Sequence, residues 1–515
     1  MAIGSLALRR TTDFAKHRNA LIALALLAAA VVTRAGRIGD PAIQMDEQFY
    51  LLVADRMWHG ALPYVDIWDR KPILLFMIYA GLRPFSADGI VAYQIGALLF
   101  ATATAFFVVL IARRFANPGG AVLAGVAYLL YLPLLGGDGG QSPVFYNLFL
   151  AIGAWETIRA GETGDQAGLW RHGVRAMLWA GLAIQVKYTA AIDGVAFGLW
   201  LIVLLATSQG RFSARVVAQA ALWALVALAP TLVATGFYVL IGHGREFVQA
   251  NFLSIFEKHE AAGFSGVPVL KTSLLQLAPL LTVVTLSILK ATRGVRREPR
   301  REAPWPFLAL WTACAVVDFF AIGNYYDHYA LPLLMPAIVL CAPLLGTAVA
   351  GATVLALFAW CVFLKTGLPT AAWKINDEAR IAAMVEAAQP YAAQGCIYLN
   401  DGPPIVYLLT HSCLPTRYVF PSHLNEAAEA DATDATENMA ALLASRPTAI
   451  FVADKPLAHT RNPATAALLD AALARDYQRR AKLPDVFPQS WQILYVRNDL
   501  LPPKSAPRGG PAGPQ

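Results

Sequence analysis

Long apolar segments, separated by short links rich in lysine and arginine, are the feature that most restricts the fold of this sequence. The apolar segments lie near residues 20–38, 90–112, 119–136, 143–160, 174–190, 191–207, 217–241, 270–290, 304–322, 329–346 and 351–366. Each is close to the roughly 20 residues that a helix needs to cross a bilayer. Of the 515 residues, 57% are hydrophobic and 15% are charged, against about 25% charged in a typical soluble domain. The sequence therefore predicts a polytopic α-helical membrane protein with about eleven spans.

The basic links predict the orientation of these spans. Four basic residues precede the first span: Arg9, Arg10, Lys16 and Arg18. Alternate links are also basic, most strongly the link from Lys290 to Arg301. Because short basic links are retained in the cytoplasm, we expect a cytoplasmic N-terminus and place Asp46 outside. The first apolar run also has the length of a signal-peptide core, but no small-residue cleavage site precedes the charged loop.

The composition changes to that of a soluble domain after about Ala372. Four short runs predict strands: Ile397–Leu399, Tyr418–Phe420, Ala449–Ala453 and Gln492–Val496. Helical patterns lie near 376–393, 433–446 and 463–475, so we expect a small external α/β domain. The predicted organisation is a membrane domain, 1–371, with a large first external loop, 39–89, then the α/β domain, 372–501, and a disordered tail, 502–515.

Asp46 and Glu47 directly follow the first predicted span. A carboxylate at the floor of an external cavity, half shielded from water, has the environment of a general base. A solvated helix cap is the alternative interpretation of these two residues.

Two cations, Arg70 and Lys71, precede a short apolar segment that ends at Phe85 and predicts an interfacial or re-entrant helix. Cations at that depth suit a lipid phosphate or pyrophosphate, although snorkelling to anionic lipid is an equal alternative. Asp66 and Asp69 lie beside them and are candidate substrate-binding residues.

Two further external groups are candidates for the same site. Lys187 lies at the outer end of a predicted helix, and an ionisable group there suggests function, with snorkelling as the alternative. Tyr326, His328 and Tyr329 precede an apolar helix and offer hydroxyls and an imidazole to a substrate, or else form an interfacial aromatic belt. Because all these groups fall on one predicted side, the sequence favours a single external site.

Other classes of ligand have little support. The net charge of +7 arises from the links between spans, and no nucleic-acid-binding motif is present. Cys314, Cys341 and Cys361 fall in apolar segments without metal-site spacing. No cofactor is predicted, and a divalent metal is neither required nor excluded. Cys396 and Cys413 form either a disulfide or two unrelated thiols.

Several segments together resemble a known family. Met45–Tyr50, Gly60–Asp66 and Lys71-Pro72 resemble the first external loop of bacterial GT-C glycosyltransferases related to protein O-mannosyltransferases and to the lipid A aminoarabinose transferase. Gly181–Lys187 and His328–Pro332 resemble two further segments of that family. The resemblance implies a bacterial inner-membrane enzyme that transfers a sugar on the periplasmic side from a polyprenyl-phosphate donor to a lipid or protein acceptor.

The resemblance also implies roles for individual residues. Asp46 would be the catalytic base, with Glu47 beside it, and Lys71 would contact the donor phosphate. Gln48 and Arg70 differ from the aminoarabinose transferase pattern, and Gln141 lies in a second external loop that lacks the carboxylate of many relatives. A transfer from phosphate needs one base and a cation, because phosphate leaves as a stable anion, unlike the alcohol that a glycosidase must protonate.

Two other functions remain open at this point. A transporter or flippase of lipid-linked sugars would place ionisable residues near the bilayer midplane, whereas the charges here gather at one edge. A non-catalytic envelope sensor or assembly protein would use the soluble domain to bind its ligand.

Overall fold

The structure is a computed structural model that describes residues 2–258, 266–294, 303–321, 323–368, 370–455 and 460–502, without the side chains of 2–15 and 291–294. The predicted disordered tail beyond residue 502 and residues 295–301 of the basic link lie outside the described residues. The chain divides into two compact units. Unit 1 comprises Met1–Val65, Asp69–Phe252 and Ser265–Asn376, and unit 2 comprises Asp66–Trp68, Leu253–Phe264 and Asp377–Gln515.

Unit 1 is helical. Its helices are α1 (Ala2–Arg34), α2 (Met45–Trp58), α3 (Ile73–Leu82), α4 (Ile90–Ala112), α5 (Pro118–Tyr131), α6 (Ser142–Glu162), α7 (Gln166–Ile184), α8 (Ala191–Ser208), α9 (Ala214–Leu240), α10 (Gly244–Val248), α11 (Val267–Gly294), α12 (Trp305–Phe320), α13 (Leu331–Leu345) and α14 (Ala348–Thr366). Helix α13 is buried along most of its length and packs against α5, α11 and α12. The core of unit 1 therefore surrounds α13, and the outer helices leave apolar side chains exposed, as expected for contact with lipid.

The apolar runs of the sequence are helices in the structure. Eight helical segments of the described chain are long and apolar enough to cross a membrane: Lys16–Arg37, Ile90–Ala112, Pro118–Leu135, Tyr188–Ser208, Ala214–Leu240, Val267–Lys290, Asp327–Leu345 and Ala348–Thr366. The other predicted spans correspond to α6, α7 and α12. Helices α6 and α7 are more polar, and Glu156 of α6 pairs with His172 of α7 at 2.6 Å. Helix α12 has 16 residues.

The first external loop of the prediction contains two helices. The short helix expected after Lys71 is α3, which continues into a 3₁₀ turn, Arg83–Phe85. Helix α2 was not predicted, although its strong helix formers and two acidic residues in the first turn favour a helix. Arg83 ties the end of α3 to α2, because its Nε donates to Asp55 Oδ1 at 3.0 Å. The loop therefore contains two helices joined by this hydrogen bond.

Unit 2 contains a four-stranded mixed sheet in the order β1-β2-β4-β3. The strands are β1 (Ile397–Leu399), β2 (Ala449–Ala453), β3 (Tyr477–Pro484) and β4 (Trp491–Arg497). Strands β1 and β2 are parallel, and β4 is antiparallel to both β2 and β3. The helices are α15 (Ala372–Ala392, in this unit from Asp377), α16 (Ile405–Leu409), α17 (Ser422–Asn425), α18 (Ala435–Ala444) and α19 (Pro463–Asp476).

One strand prediction in unit 2 is wrong and one strand was missed. Tyr418–Phe420 lies in an irregular segment, because its aromatic rings pack on Trp68 and His423 instead of joining a ladder. Strand β3 was not predicted, because its exposed positions carry charged residues, as is common in a strand at the edge of a sheet. The remaining three predicted strands are confirmed.

The cysteines behave as two groups. Cys396 and Cys413 form a disulfide next to β1, which decides between the two interpretations of this pair. Cys314, Cys341 and Cys361 are free and lie in α12, α13 and α14. The free thiols are thus part of the helical packing of unit 1.

Candidate active site

Four segments that are distant in sequence contribute to one site in unit 1. Asp46 lies in the first turn of α2, and Lys71 lies directly before α3. Lys187 lies between α7 and the 3₁₀ turn that starts α8, and the segment 326–329 leads into α13. Lys71, Lys187 and His328 all act electrostatically on Asp46. The structure therefore brings together the main charged residues that the sequence analysis selected.

Asp46 is placed among cations. Burial raises the pKa of its carboxyl, but Lys71, His328 and Lys187 and a hydrogen bond from Gln141 outweigh that effect and lower the pKa below its usual value. The Gln141 amide Nε2 lies 3.5 Å from Asp46 Oδ2. Asp46 is consequently ionised at neutral pH, in the protonation state that a general base requires.

Lys71 is the principal cation beside Asp46. Burial lowers its pKa, but Tyr50, Asp46 and Asp69 raise it well above the usual value. The Nζ atom lies 5.4 Å from the centroid of the Tyr50 ring, and the Tyr64 hydroxyl donates to the Lys71 backbone oxygen at 2.8 Å. Lys71 thus keeps its charge and is held by both side-chain and backbone contacts.

Asp69 shapes the turn that presents Lys71. Its Oδ1 accepts hydrogen bonds from the backbone N–H of Arg70 at 2.6 Å and of Lys71 at 3.3 Å. Burial raises the pKa of this carboxyl, opposed by Lys71. Arg70 is half-buried, whereas Asp66 is exposed and belongs to unit 2. Of the two aspartates proposed to contact substrate, Asp69 therefore stabilises the turn before α3 through its hydrogen bonds to the backbone.

Lys187 lies against an aromatic group. Its Nζ is 3.9 Å from the centroid of the Tyr329 ring. The His328 ring packs edge-on to the Tyr329 ring, with the two centroids 4.7 Å apart. Tyr326 stacks on His328 with ring centroids 5.8 Å apart. Burial lowers the pKa of Lys187 to about 8, opposed by Asp318 and Asp46. The predicted aromatic residues thus form one wall of the site and hold a second lysine there.

Glu47 has different surroundings from its neighbour Asp46. Consecutive residues of a helix point in directions about 100° apart, and Glu47 is fully buried against Gly139, with the Gly140 backbone also acting on its carboxyl. Burial raises the pKa of its carboxyl to about 8, although the Gly140 backbone opposes this. At neutral pH the two adjacent acids therefore carry different charges.

Two residues that contribute to the site were not predicted. Gln141 lies in the loop that lacks the carboxylate of many relatives, and no role was predicted for it. Its amide nevertheless contacts Asp46. Asp318 of α12 is buried, and it is the acidic residue with the largest electrostatic effect on Lys187. An isolated polar residue in an apolar run was the available signal for Asp318. Among the described residues, no group of three His, Cys, Asp or Glu side chains is arranged to hold a metal ion.

Comparisons with known proteins agree with this architecture. Residues 69–233 match the family model of dolichyl-phosphate-mannose-protein mannosyltransferase. No curated protein matches the sequence. The crystal structure of ArnT from Cupriavidus metallidurans bound to undecaprenyl phosphate aligns with a TM-score of 0.61 and 14% identity, over 93% of this chain and 99% of that one. The chain has the fold of a GT-C membrane glycosyltransferase.

The apo structure of the same ArnT supports the GT-C fold, with a TM-score of 0.56 and 14% identity over 96% of this chain and 100% of that one. The predicted fold class, a GT-C-like helical membrane protein with a small C-terminal α/β domain, is confirmed. The predicted resemblance to the ArnT and mannosyltransferase group is confirmed as well.

Proposed function

We propose that this protein transfers a sugar from a polyprenyl-phosphate donor to an acceptor hydroxyl by inverting displacement. The observation that carries the proposal is the position of the Asp46 carboxylate, with Lys71 and Lys187 close enough to act on it, within a GT-C fold. A base and cations in one site are what such a displacement requires.

The proposed roles follow from charge. Asp46 removes the proton from the acceptor hydroxyl as its oxygen attacks the anomeric carbon and the bond to phosphate breaks. Lys71, with Arg70 and Lys187, binds the donor phosphate and stabilises the negative charge that develops on it. Phosphate leaves as a stable anion, so no acid has to protonate it. Inversion follows because a single displacement places the acceptor opposite the leaving group.

The remaining predicted residues are proposed to line the substrate. Tyr326, His328 and Tyr329 form the aromatic wall, which suits the apolar face of a sugar ring and offers hydrogen bonds to its hydroxyls. Asp69 positions Lys71, and the exposed Asp66 stays a proposed substrate-binding residue.

The donor and the location are proposed from two sources. The ArnT structure contains undecaprenyl phosphate, and the matching family is named for a dolichyl-phosphate sugar, so a polyprenyl phosphate is the proposed carrier here. The basic links assign the N-terminus to the cytoplasm. The site and unit 2 are therefore proposed to face the periplasm of a bacterial inner membrane, where lipid A, another surface glycan or a protein hydroxyl accepts the sugar.

The test is Asp46→Asn in the purified full-length protein, reconstituted in liposomes with radiolabelled polyprenyl-phosphate hexoses and pentoses and with membrane acceptors. Loss of a general base typically costs about 10²- to 10⁴-fold in rate, so we expect a kcat reduction in that range with unchanged membrane insertion. Asp470→Asn, at an exposed carboxylate of unit 2, is the matched control. Near-normal turnover by Asp46→Asn would refute the assignment.

The same assay separates the alternatives. Movement of the labelled lipid across the bilayer without transfer would identify a flippase, and neither movement nor transfer would favour a sensor or assembly protein. The sugar that is transferred distinguishes a hexosyl from a pentosyl donor.

A further inference from the structure

Glu47 is a buried acid for which the proposed displacement has no chemical use. Its side chain in α2 is fully buried, with a relative exposure of 0%. A phosphate leaving group needs no proton, and Asp46 already supplies the base. A role for Glu47 therefore has to be sought in the groups that its side chain contacts.

The carboxyl of Glu47 lies against a glycine-rich loop, Gly136–Gln141, which we call the glycine loop. A Cβ atom on Gly139 would overlap both Glu47 carboxyl oxygens. A Cβ atom on Gly140 would overlap the Tyr79 hydroxyl and the Tyr93 ring. A side chain at either position would therefore force these neighbouring side chains to move.

Other side chains hold the same loop from different directions. The Tyr79 hydroxyl donates to the Gly140 oxygen at 2.7 Å. Arg34 of α1 donates to the backbone oxygens of Gly137 and Gly139, the latter at 3.4 Å. The glycine loop is therefore held by α1, α2 and α3, and Glu47 is the contact from α2.

The last residue of the glycine loop reaches the catalytic base. Gln141 is 1% exposed, and its amide Nε2 lies 3.5 Å from Asp46 Oδ2. A shift of the loop would move this amide away from Asp46. We propose that Glu47 is a positioning residue: it seats the backbone of Gly139 and Gly140 so that Gln141 orients the Asp46 carboxylate.

The protonation state of Glu47 fits this role, which rests on the proposed function of Asp46. Burial and Asp138 raise its pKa, while the Gly140 backbone, the Tyr93 hydroxyl and Arg34 lower it, and the result is about 8. At neutral pH the side chain is uncharged and adds no second negative charge beside Asp46. Ionisation above that pH would place a negative charge in a buried site and introduce repulsion from Asp138.

The test compares three variants of the full-length protein. Glu47→Ala removes the carboxyl that contacts Gly139, and Gly139→Ala introduces a clash with that carboxyl. Because small displacements of catalytic groups can cost about 100-fold in rate, we expect each variant to lower kcat by about 10- to 100-fold with little change in donor KM. Glu47→Gln keeps the size and stays neutral, and we expect it to restore most of the kcat that Glu47→Ala loses. In the double variant, Gly139→Ala with Glu47→Ala, the new methyl group enters the vacated space, so the loss should not exceed that of either single variant.

A pH profile adds a readout that a merely structural role would not change. The wild-type kcat should decline above about pH 8 relative to Glu47→Gln, because only the wild type ionises there. Lys187 titrates in the same range, but it is common to both proteins, so their difference reports Glu47.

The outcomes separate this inference from the proposed function. If the wild type transfers sugar and Glu47→Gln loses as much kcat as Glu47→Ala, the positioning role is refuted and the transferase assignment stands. If the losses in the double variant multiply, the contact between Glu47 and Gly139 is not the cause, and the inference also fails. If the wild type transfers no sugar from any donor, the proposed function fails, and the role of Glu47 fails with it.

Discussion

Replacing Lys71 with methionine tests the electrostatic design of the site in two ways. The substitution keeps an unbranched side chain beside Tyr50 but removes the charge. A hydrogen bond to a charged group contributes about 1.5–3 kcal/mol, so loss of the contact to the donor phosphate should raise donor KM by about 10- to 150-fold. Lys71 is also the largest favourable influence on the Asp46 carboxylate.

The second effect of Lys71→Met concerns pH. The pKa of Asp46 is lowered in the folded protein, so the base is active above that pKa and is lost as pH falls through it. Without Lys71 the pKa of Asp46 rises, and the decline of kcat should begin at a higher pH. Each pKa unit corresponds to about 1.4 kcal/mol of interaction between the two groups.

The assay measures donor KM and kcat across pH, together with direct binding of polyprenyl phosphate, which needs no turnover. Lys71→Arg, which keeps the charge, should retain more donor binding than Lys71→Met. Lys482→Met, at a partly exposed lysine of unit 2, is the matched control. Unchanged donor KM together with an unchanged acid limb in Lys71→Met would refute the reasoning.

Three further predictions follow from the contacts of other residues. Tyr329→Leu removes the ring beneath Lys187, a contact of about 0.5–2 kcal/mol, so donor KM should rise about 2- to 30-fold, while Tyr329→Phe should stay near the wild type. If the leucine and phenylalanine variants behave alike, the ring contact is unimportant. Replacing Cys396 and Cys413 by serine opens a loop with a sequence separation of 17 and should destabilise unit 2 by about 3 kcal/mol, seen as faster proteolysis at its strands; equal proteolysis would contradict this. Because Glu47 keeps its proton to about pH 8 in the folded state, against a usual pKa of 4.5, stability should fall by roughly a few kcal/mol as pH rises through that interval. Glu47→Gln should flatten this dependence of Tm on pH, and parallel curves for the two proteins would count against a buried neutral acid.

Much of the helical architecture could be predicted because a membrane span is a direct consequence of local composition. Helix α2 was missed despite its strong helix formers, because it buries polar residues such as Glu47 and Gln48 beside apolar ones, and its pattern does not separate a polar face from an apolar face. The strand predicted at Tyr418–Phe420 was wrong for a related reason. A short aromatic run indicates that the segment is buried, but not that it pairs with another strand.

The candidate site was partly predictable because charge beside apolar segments is unusual. That signal identified Asp46, Lys71 and Lys187. It could not identify Gln141, whose importance comes from a contact across 95 positions of sequence. Nor could it show that Asp46 and Glu47 differ in charge, since their environments depend on tertiary packing.

The amide at Gln141 has a consequence for how Asp46 exchanges protons. Two carboxyl groups in contact share their protons and titrate in two coupled steps that belong to the pair. Gln141 does not titrate, and its N–H group can only donate to the carboxylate. The contact that orients Asp46 therefore adds no second proton-binding group, and Asp46 and Gln141 take up a single proton between them.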